Sequence, residues 1–456
     1  MSNTTEAANT ERITAEAPAA KAVNWVPCFA MMGVSLISYI DRSVLSILSP
    51  TILADLHLSA EQYGLAVSAF SICYTIGNPL WGYAIDRAGL YWSISIAVAI
   101  WSLAAGAHAA VYGLAGLCLA RAVLGWGEGA TFPAGLTTVA ETLPPEKRSM
   151  GLGLSYSGGA LGAAVTPIVV TPVANAFGWR AAFLFTATLG FFWIVVWAWL
   201  INSSLVGSKL RGRGRHAAEI ASEDASAAQA LPEAAPIWDP RRWNPAPTSQ
   251  NRACWEPRRL LIATAVLYGL GAQPLAAGLY AAPLFLSREL HQTQASLGHL
   301  LWIPPLGWEI GYLVFGALAG RKSTTLARHP ALVFATLSVL SLNAAAIPFT
   351  HSLPLVMALL FFSMFLGGGF VVLSLSQGLA AQRNANPGFL AGICVAAWSV
   401  AVAVLMPLIG RMFDQRDYRH AFLLFAVMPA VGTLLWQALR PSKSKESALE
   451  DPRPEA

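Results

Sequence analysis

The sequence predicts an all-α membrane protein with twelve transmembrane helices in two six-helix halves. Three observations carry this. The 456-residue chain is 55% hydrophobic and only 12% charged, about half the charged share of a soluble domain, and its mean hydropathy is +0.53. Apolar stretches long enough for a bilayer core, which takes about 20 helical residues, recur along its length. They fall into six, a polar interruption, and six.

The first six spans lie near 25–50, 63–84, 92–111, 113–140, 149–174 and 181–201. The second six lie near 259–286, 296–320, 328–348, 353–380, 387–412 and 420–439. The domain plan is a tail at 1–22, a six-helix bundle at 23–201, a central loop at 202–258, a second bundle at 259–440 and a tail at 441–456. The first tail is polar and has no basic region followed by an apolar core, so it reads as a solvated tail rather than a signal peptide. The central loop is rich in Ala, Pro and charge and cannot build a core; a short interfacial helix around Trp238–Trp243 is an alternative there. With the N-terminus inside, 22 of the 29 Lys and Arg fall in cytoplasmic segments, which places both termini in the cytoplasm. The net charge of +5 follows this loop bias and does not point to nucleic acid. Five scattered cysteines, none in a CxxC pair, indicate neither a disulfide framework nor a zinc site.

Against this apolar background, Asp41 and Arg42 stand in the first span, and Arg121 and Glu128 in the fourth. Ionised groups at membrane depth are costly and mark ion or substrate pathways. Tyr39 and Arg42 are three apart and share a helix face, whereas Asp41 points about 100° away, toward a neighbouring helix. Arg121 and Glu128 are two turns apart on one face. A guanidinium in a water-filled cavity suits a carboxylate. Asp41 and Glu128 can exchange protons, and an arginine beside them opposes protonation, so competition for it links proton occupancy to conformation. The alternative is two static ion pairs that merely join helices, and buried pairs are poor net stabilisers.

After the second span the chain reads GNPLWGYAIDRAGLYW. It resembles the G-x-x-x-D-[RK]-x-G signature of the major facilitator superfamily, with Gly82, Asp86 and Arg87 as a gating latch. The matching stretch in the second half, FGALAGRKS, has Gly320 in place of the aspartate. The resemblance then narrows. SYIDRSVLSILSPTI, RAVLGWGEGATFPAG, GLSYSGGALGAAVTPIV and FGWRAAF are similar to the anion:cation symporter branch, which includes bacterial hexuronate, galactonate and glucarate transporters. By that resemblance Asp41 and Glu128 accept protons with Arg121 as coupling partner, and Arg42 with Tyr39 and Tyr74 holds substrate. Where sugar-acid members often carry an amide, this chain has Tyr156, Ser157, Gly158 and Gly159, and Ser157 stands as the contact candidate.

In the second half Tyr268, Gln273 and Trp398 are substrate candidates, beside Tyr280 and Gln377. Glu309 is a third acid at membrane depth, expected either in substrate recognition or in the cytoplasmic vestibule. His108, His291 and His351 fall near external span ends and are expected to face solvent. The resemblance implies a bacterial inner-membrane, proton-coupled importer of an organic anion, most of all a sugar acid. It also implies a monomer needing no cofactor, with protons and the lipid bilayer as partners. A carrier of aromatic or simple carboxylates on the same fold is one rival, and a non-transporting sensor of external acids is another. A membrane enzyme is unsupported, since no nucleophile motif or metal-ligand spacing is present.

Overall fold

The computed structural model describes residues 23–144, 147–203, 251–319, 329–381 and 387–440, without the side chains of 149, 251–257, 381, 387 and 388. Both tails, the region around Trp238 and Trp243, and the stretch Gly320–Arg321–Lys322 lie outside these residues. All regular structure within them is helical. In the first half α1 (Val26–Ile47) and short α2 (Ser49–Asp55) precede α3 (Ala60–Ala88), α4 (Leu90–Ala107) and α5 (Leu114–Glu128). They are followed by α6 (Thr131–Thr142), α7 (Arg148–Phe177) and α8 (Trp179–Asn202). In the second half come α9 (Asn251–Gly271), α10 (Gln273–Ala276), a π turn (Ala277–Ala281) and α11 (Ala282–Arg288). Next are α12 (Gln294–Leu300), α13 (Ile303–Ala319), α14 (Pro330–Ser341) and a 3-10 turn (Leu342–Phe349). The last three are α15 (Leu353–Ala381), α16 (Pro387–Asp414) and α17 (Tyr418–Leu439).

Local chemistry sets many of these boundaries. Ser59 caps α3 by accepting from the Gln62 amide at 3.1 Å, while the Gln62 side chain returns to the Ser59 amide at 2.9 Å, a reciprocal capping box. Gly89 and Gly178 are single residues between consecutive helices and take φ of 86° and 85°, a region open to glycine at little cost. Pro274, Pro283 and Pro304 sit at helix starts, where the missing N–H is not needed. Pro167 and Pro407 lie inside α7 and α16.

Ten helical runs among the described residues are long and apolar enough to cross a membrane, where the sequence predicts twelve spans. The other two expected spans are α3 and the α5–α6 pair. Over its 29 residues α3 carries Tyr63, Ser68, Ser71 and Tyr74 on its buried side, which lowers its apolarity. The expected single span at 113–140 breaks at Gly129–Ala130, so neither α5 nor α6 is long enough alone. The outer surface is apolar: Phe192, Val195, Leu313, Val404 and Leu434 are each at least 65% exposed. A surface of this kind belongs in lipid, where helices satisfy their own backbone.

The halves meet through α3 with α16 and through α7 with α12 and α13. In lipid, such contacts rest on close packing by small residues rather than on hydrophobic burial. A Cβ at Gly64 would strike the Met406 carbonyl, and one at Gly410 the Ala60 carbonyl. Hydrogen bonds between the halves cluster at the end of the bundle opposite the described termini. Tyr63 donates to the Tyr280 carbonyl at 3.1 Å, Ser68 to the Ala403 carbonyl at 2.6 Å, and Ser46 to the Leu279 carbonyl. At the rim, Asp414 accepts from the amides of Ala60 and Glu61, each at 2.9 Å, and from Arg288 at 3.2 Å. One carboxylate of the second half thus caps the α3 N-terminus of the first, where the helix dipole favours an anion.

Removing that cap should loosen this end. Asp414→Ala is expected to cost the closed arrangement about 1–2 kcal/mol, the scale of a lost helix N-cap together with a partly exposed ion pair. Spin labels at the exposed positions Ala54 and His291 should then show a longer distance gaining population. An unchanged distance distribution would mean that Asp414 does not hold the end shut.

Candidate functional site

Glycines on α7 let α1 approach closely enough to place its charges. A Cβ at Gly158 would strike the Met32 carbonyl, one at Gly162 the Leu36 carbonyl, and one at Gly159 would lie 2.9 Å from the Tyr39 ring. With α1 seated there, Arg42 reaches Glu128 at the end of α5. Its Nη2 donates to Glu128 Oε2 at 2.9 Å and its Nε to the same oxygen at 3.2 Å. Ser38 Oγ, one turn before Arg42, donates to that oxygen too, at 2.9 Å. Glu128 Oε1 has no hydrogen bond. The side chains of Arg42 and Glu128 are 4% and 0% exposed.

Three rings surround this guanidinium: its carbon lies 4.5 Å from the Tyr39 centroid and 4.7 Å from those of Phe70 and Tyr74. Cation–π contact of this kind holds a desolvated arginine without fully satisfying its N–H groups. Phe70 has a second cation beside it, since the Arg121 guanidinium lies 4.9 Å from the same ring. Arg121 donates through Nη2 to the Arg42 carbonyl at 3.3 Å, and its Nε and Nη1 are unpartnered. Asp41 is 1% exposed. It faces α8 beside Thr186, but the Thr186 hydroxyl donates to the Phe183 carbonyl at 3.3 Å and neither Asp41 oxygen has a hydrogen bond.

The hydrogen bonds to Glu128 come from Arg42 and Ser38, while Arg121, on the same face of α5, acts on Glu128 only through space. The reason is geometric. Seven residues along one helix separate Arg121 and Glu128 by about 10.5 Å of rise, too far for a direct pair, while α1 crosses α5 within reach of Glu128. Asp41 and Arg42 do part as their helical angle implies, one toward α8 and the other toward the centre.

Arg42 borders a cavity of about 370 Å³ between the halves, on the termini side of the closed end. It is the sole charged side chain among the described lining residues. Tyr39, Tyr74, Tyr268 and Trp398 line the cavity as expected from sequence, the last with its indole Nε1 donating to the Ala272 carbonyl at 3.2 Å. Five candidates do not line it, Tyr280 and Gln377 among them. Ser157 turns its hydroxyl to the Leu154 carbonyl at 2.9 Å, and fully buried Gln273 donates to the Gly269 carbonyl at 2.7 Å. Glu309 lies off the cavity with Oε2 buried and unpartnered. Ser35, Ser38, Thr131, Tyr156, Trp308 and Tyr312 do line it and were missed. A four-residue period from Tyr39, Arg42 and Trp308 leads to Ser35, Ser38 and Tyr312.

The latch candidates lie at the far end of α3 from the closed rim. A Cβ at Gly82 would meet the Pro133 side chain at 3.7 Å, and the Arg87 guanidinium lies 4.8 Å from the Tyr83 centroid. Asp86 precedes the turn at Gly89. The expectation for His108 is overturned. It is fully buried, its Nδ1 pairs with the Ala104 carbonyl at 2.7 Å, and its ring stacks on Phe183 at 4.6 Å. The cause is local: α4 runs on into a 3-10 turn (His108–Ala110) that folds the ring against α8. His291 and His351 are exposed.

Residues 31–386 and 275–456 match the Major Facilitator Superfamily. The chain belongs to this family. Among its relatives, a hexuronate transporter of Bacillus subtilis (strain 168) is 40% identical over 162 residues, 36% of this chain and 38% of that one. A galacturonate transporter of Dickeya chrysanthemi is 30% identical over 177 residues, 39% of this chain and 51% of that one. The chain therefore spans between 38% and 51% of the length of these curated relatives. Two solved structures share the facilitator fold. A bacterial homolog of the human lysosomal transporter Spinster, inward-facing and unoccupied, superposes with a TM-score of 0.69 at 14% identity, covering 95% of this chain and 100% of that one. A D-xylose-proton symporter gives 0.64 at 17% identity, covering 91% and 98%. The superfamily consists of transporters, not enzymes.

The buried pair makes a stability prediction. Arg42→Met leaves Glu128 without its partner and should lower stability by about 3–5 kcal/mol. Adding Glu128→Gln should restore most of that loss, as read by thermal unfolding in detergent. Equal unfolding temperatures for the single and double variants would show that another group neutralises Glu128.

Proposed function

We propose that this facilitator is a proton-coupled secondary transporter that imports an organic anion, of the sugar-acid class, by alternating access. The observation that carries the proposal is that the sole charged side chain among the described residues of the cavity wall, Arg42, is already held by a carboxylate. Glu128 and a substrate carboxylate compete for the same guanidinium. While Glu128 is ionised it occupies Arg42. A proton on Glu128 releases Arg42, whose planar fork can then take the incoming carboxylate in a bidentate way. Loss of that proton restores the Glu128 claim and expels the anion. Asp41 and Arg121 complete the proton circuit behind α1, away from the cavity.

Tyr39, Tyr74 and Ser35 contribute hydroxyls to the first-half wall. They suit a hydroxylated body, as hexuronate and galacturonate carriers among the relatives would require. The closed rim and the cavity on the termini side correspond to one state of the cycle, with Gly82, Asp86 and Arg87 gating the other end. The proposal includes an inner-membrane location, cytoplasmic termini and action as a monomer. The gradient supplies the energy, so no cofactor is needed.

One observation favours a second cargo. The second-half wall is mostly aromatic and aliphatic, with Tyr268, Leu275, Trp308, Tyr312 and Trp398, and its Ser376 hydroxyl donates to the Val372 carbonyl of its own helix. Sugar hydroxyls buried there without partners would be costly, whereas a flat aromatic acid would not incur that cost.

Uptake into proteoliposomes tests both parts. Galacturonate should accumulate under an inward proton gradient and be displaced better by galactonate than by benzoate; the reverse order would select the aromatic cargo. Glu128→Gln should reduce gradient-driven uptake to background while counterflow exchange persists, and Arg42→Ala should abolish both. Equal loss of uptake and exchange in Glu128→Gln would make Glu128 a structural or substrate-binding residue.

A further inference from the structure

Several polar atoms in the first half are buried, unpartnered and outside the cavity: both Asp41 oxygens, Arg121 Nε and Nη1, and His108 Nε2. Each is notable, because buried polar atoms normally find a hydrogen bond. Two of these residues also meet α8 one turn apart. The α8 residues Phe183 and Thr186 are three apart on one helix face, about 4.5 Å of rise. His108 stacks on the first and Asp41 lies beside the second. Arg121, from α5, is electrostatically coupled to both His108 and Asp41. From the closed rim inward, α8 begins with Trp179 and Arg180, both hydrogen bonded to exposed Asp55, at 3.0 and 2.8 Å. Arg180 also donates to the Val111 carbonyl at 3.3 Å, three residues after His108. The charged groups around His108 are thus Arg121 within the bundle and the Arg180–Asp55 pair at the rim.

We propose that His108 is a proton relay that feeds Asp41 from the closed end, through the interior of the first half and separately from the substrate cavity. The tautomer favours this role. The Ala104 carbonyl can only accept, so Nδ1 carries the hydrogen and Nε2 presents its lone pair to the interior. Nε2 takes a proton from solvent entering beside the Arg180–Asp55 rim, forming an imidazolium that keeps its Nδ1 bond. It then passes that proton to the Asp41 carboxylate through water bridging the unpartnered atoms, and returns to neutral imidazole. No electron is transferred and the proton is conserved. A route of this kind lets Asp41 load while the cavity faces the termini side. The inference rests on the proton-coupled reading above, but its test needs no substrate.

The test follows Asp41 directly. In reconstituted wild-type protein, the carboxylic acid C=O infrared band that disappears in Asp41→Asn is timed after a rapid pH drop. His108→Phe, which keeps a ring on Phe183, should slow its appearance by about a hundredfold, the lower end of what a positioned proton-transfer group contributes. His108→Gln should slow it similarly. Unchanged kinetics in either variant, at wild-type melting temperature, would overturn the relay. If a variant melts early, the other is decisive. Should the wild type show a His108-dependent band but no proton-driven galacturonate uptake, the transport reading fails and the relay stands.

Discussion

The Arg42–Glu128 pair is the contact on which the rest of this structure depends. An ion pair this deeply buried is a weak source of net stability, because removing both charges from water consumes most of the attraction. It persists because α1 is locked against α7 by glycines that remove side-chain bulk where Met32 and Leu36 approach. The three rings around Arg42 and the Ser38 hydroxyl on Glu128 then fix the geometry. The pair faces the only charged opening of the described cavity wall, so its making and breaking is visible to any anion that enters.

The two halves divide the labour unevenly. The first half holds Asp41, Arg42, Arg121 and Glu128, whereas the second half contributes only Glu309 to the acids and bases read at membrane depth, and that residue lies off the cavity. The second half contributes aromatic surface and the capping carboxylate Asp414, which fastens the rim by binding the α3 N-terminus. Chemistry and closure therefore reside on opposite sides of one interface, and the helices α3 and α16 connect them.

Much of this was legible in the sequence. Span lengths and the polar interruption led to the helical plan, and the charged residues at membrane depth led to the centre of the site. Angles along one helix separated Asp41 from Arg42 correctly. Distances between helices were not legible: nothing in RAVLGWGEGA says that Glu128 lies nearer to Arg42 than to Arg121. Helix breaks such as Gly129–Ala130 were hidden in continuous apolar runs. Ser157 and Gln273 looked available, yet each turns its polar group to its own helix, an option open to any short polar side chain. His108 looked exposed because it falls near the external end of its span, yet a 3-10 turn carries it back into the bundle.

The central claim is that Glu128 and a substrate carboxylate exclude one another from Arg42. Galacturonate binding to purified protein, measured across pH in wild type and in Glu128→Gln, tests it most directly. Wild-type affinity should rise as pH falls, because a protonated Glu128 frees Arg42. The variant should bind at least as tightly as wild type at low pH, with that dependence flattened. Weaker binding by Glu128→Gln at every pH, or a wild-type affinity indifferent to pH, would contradict the account.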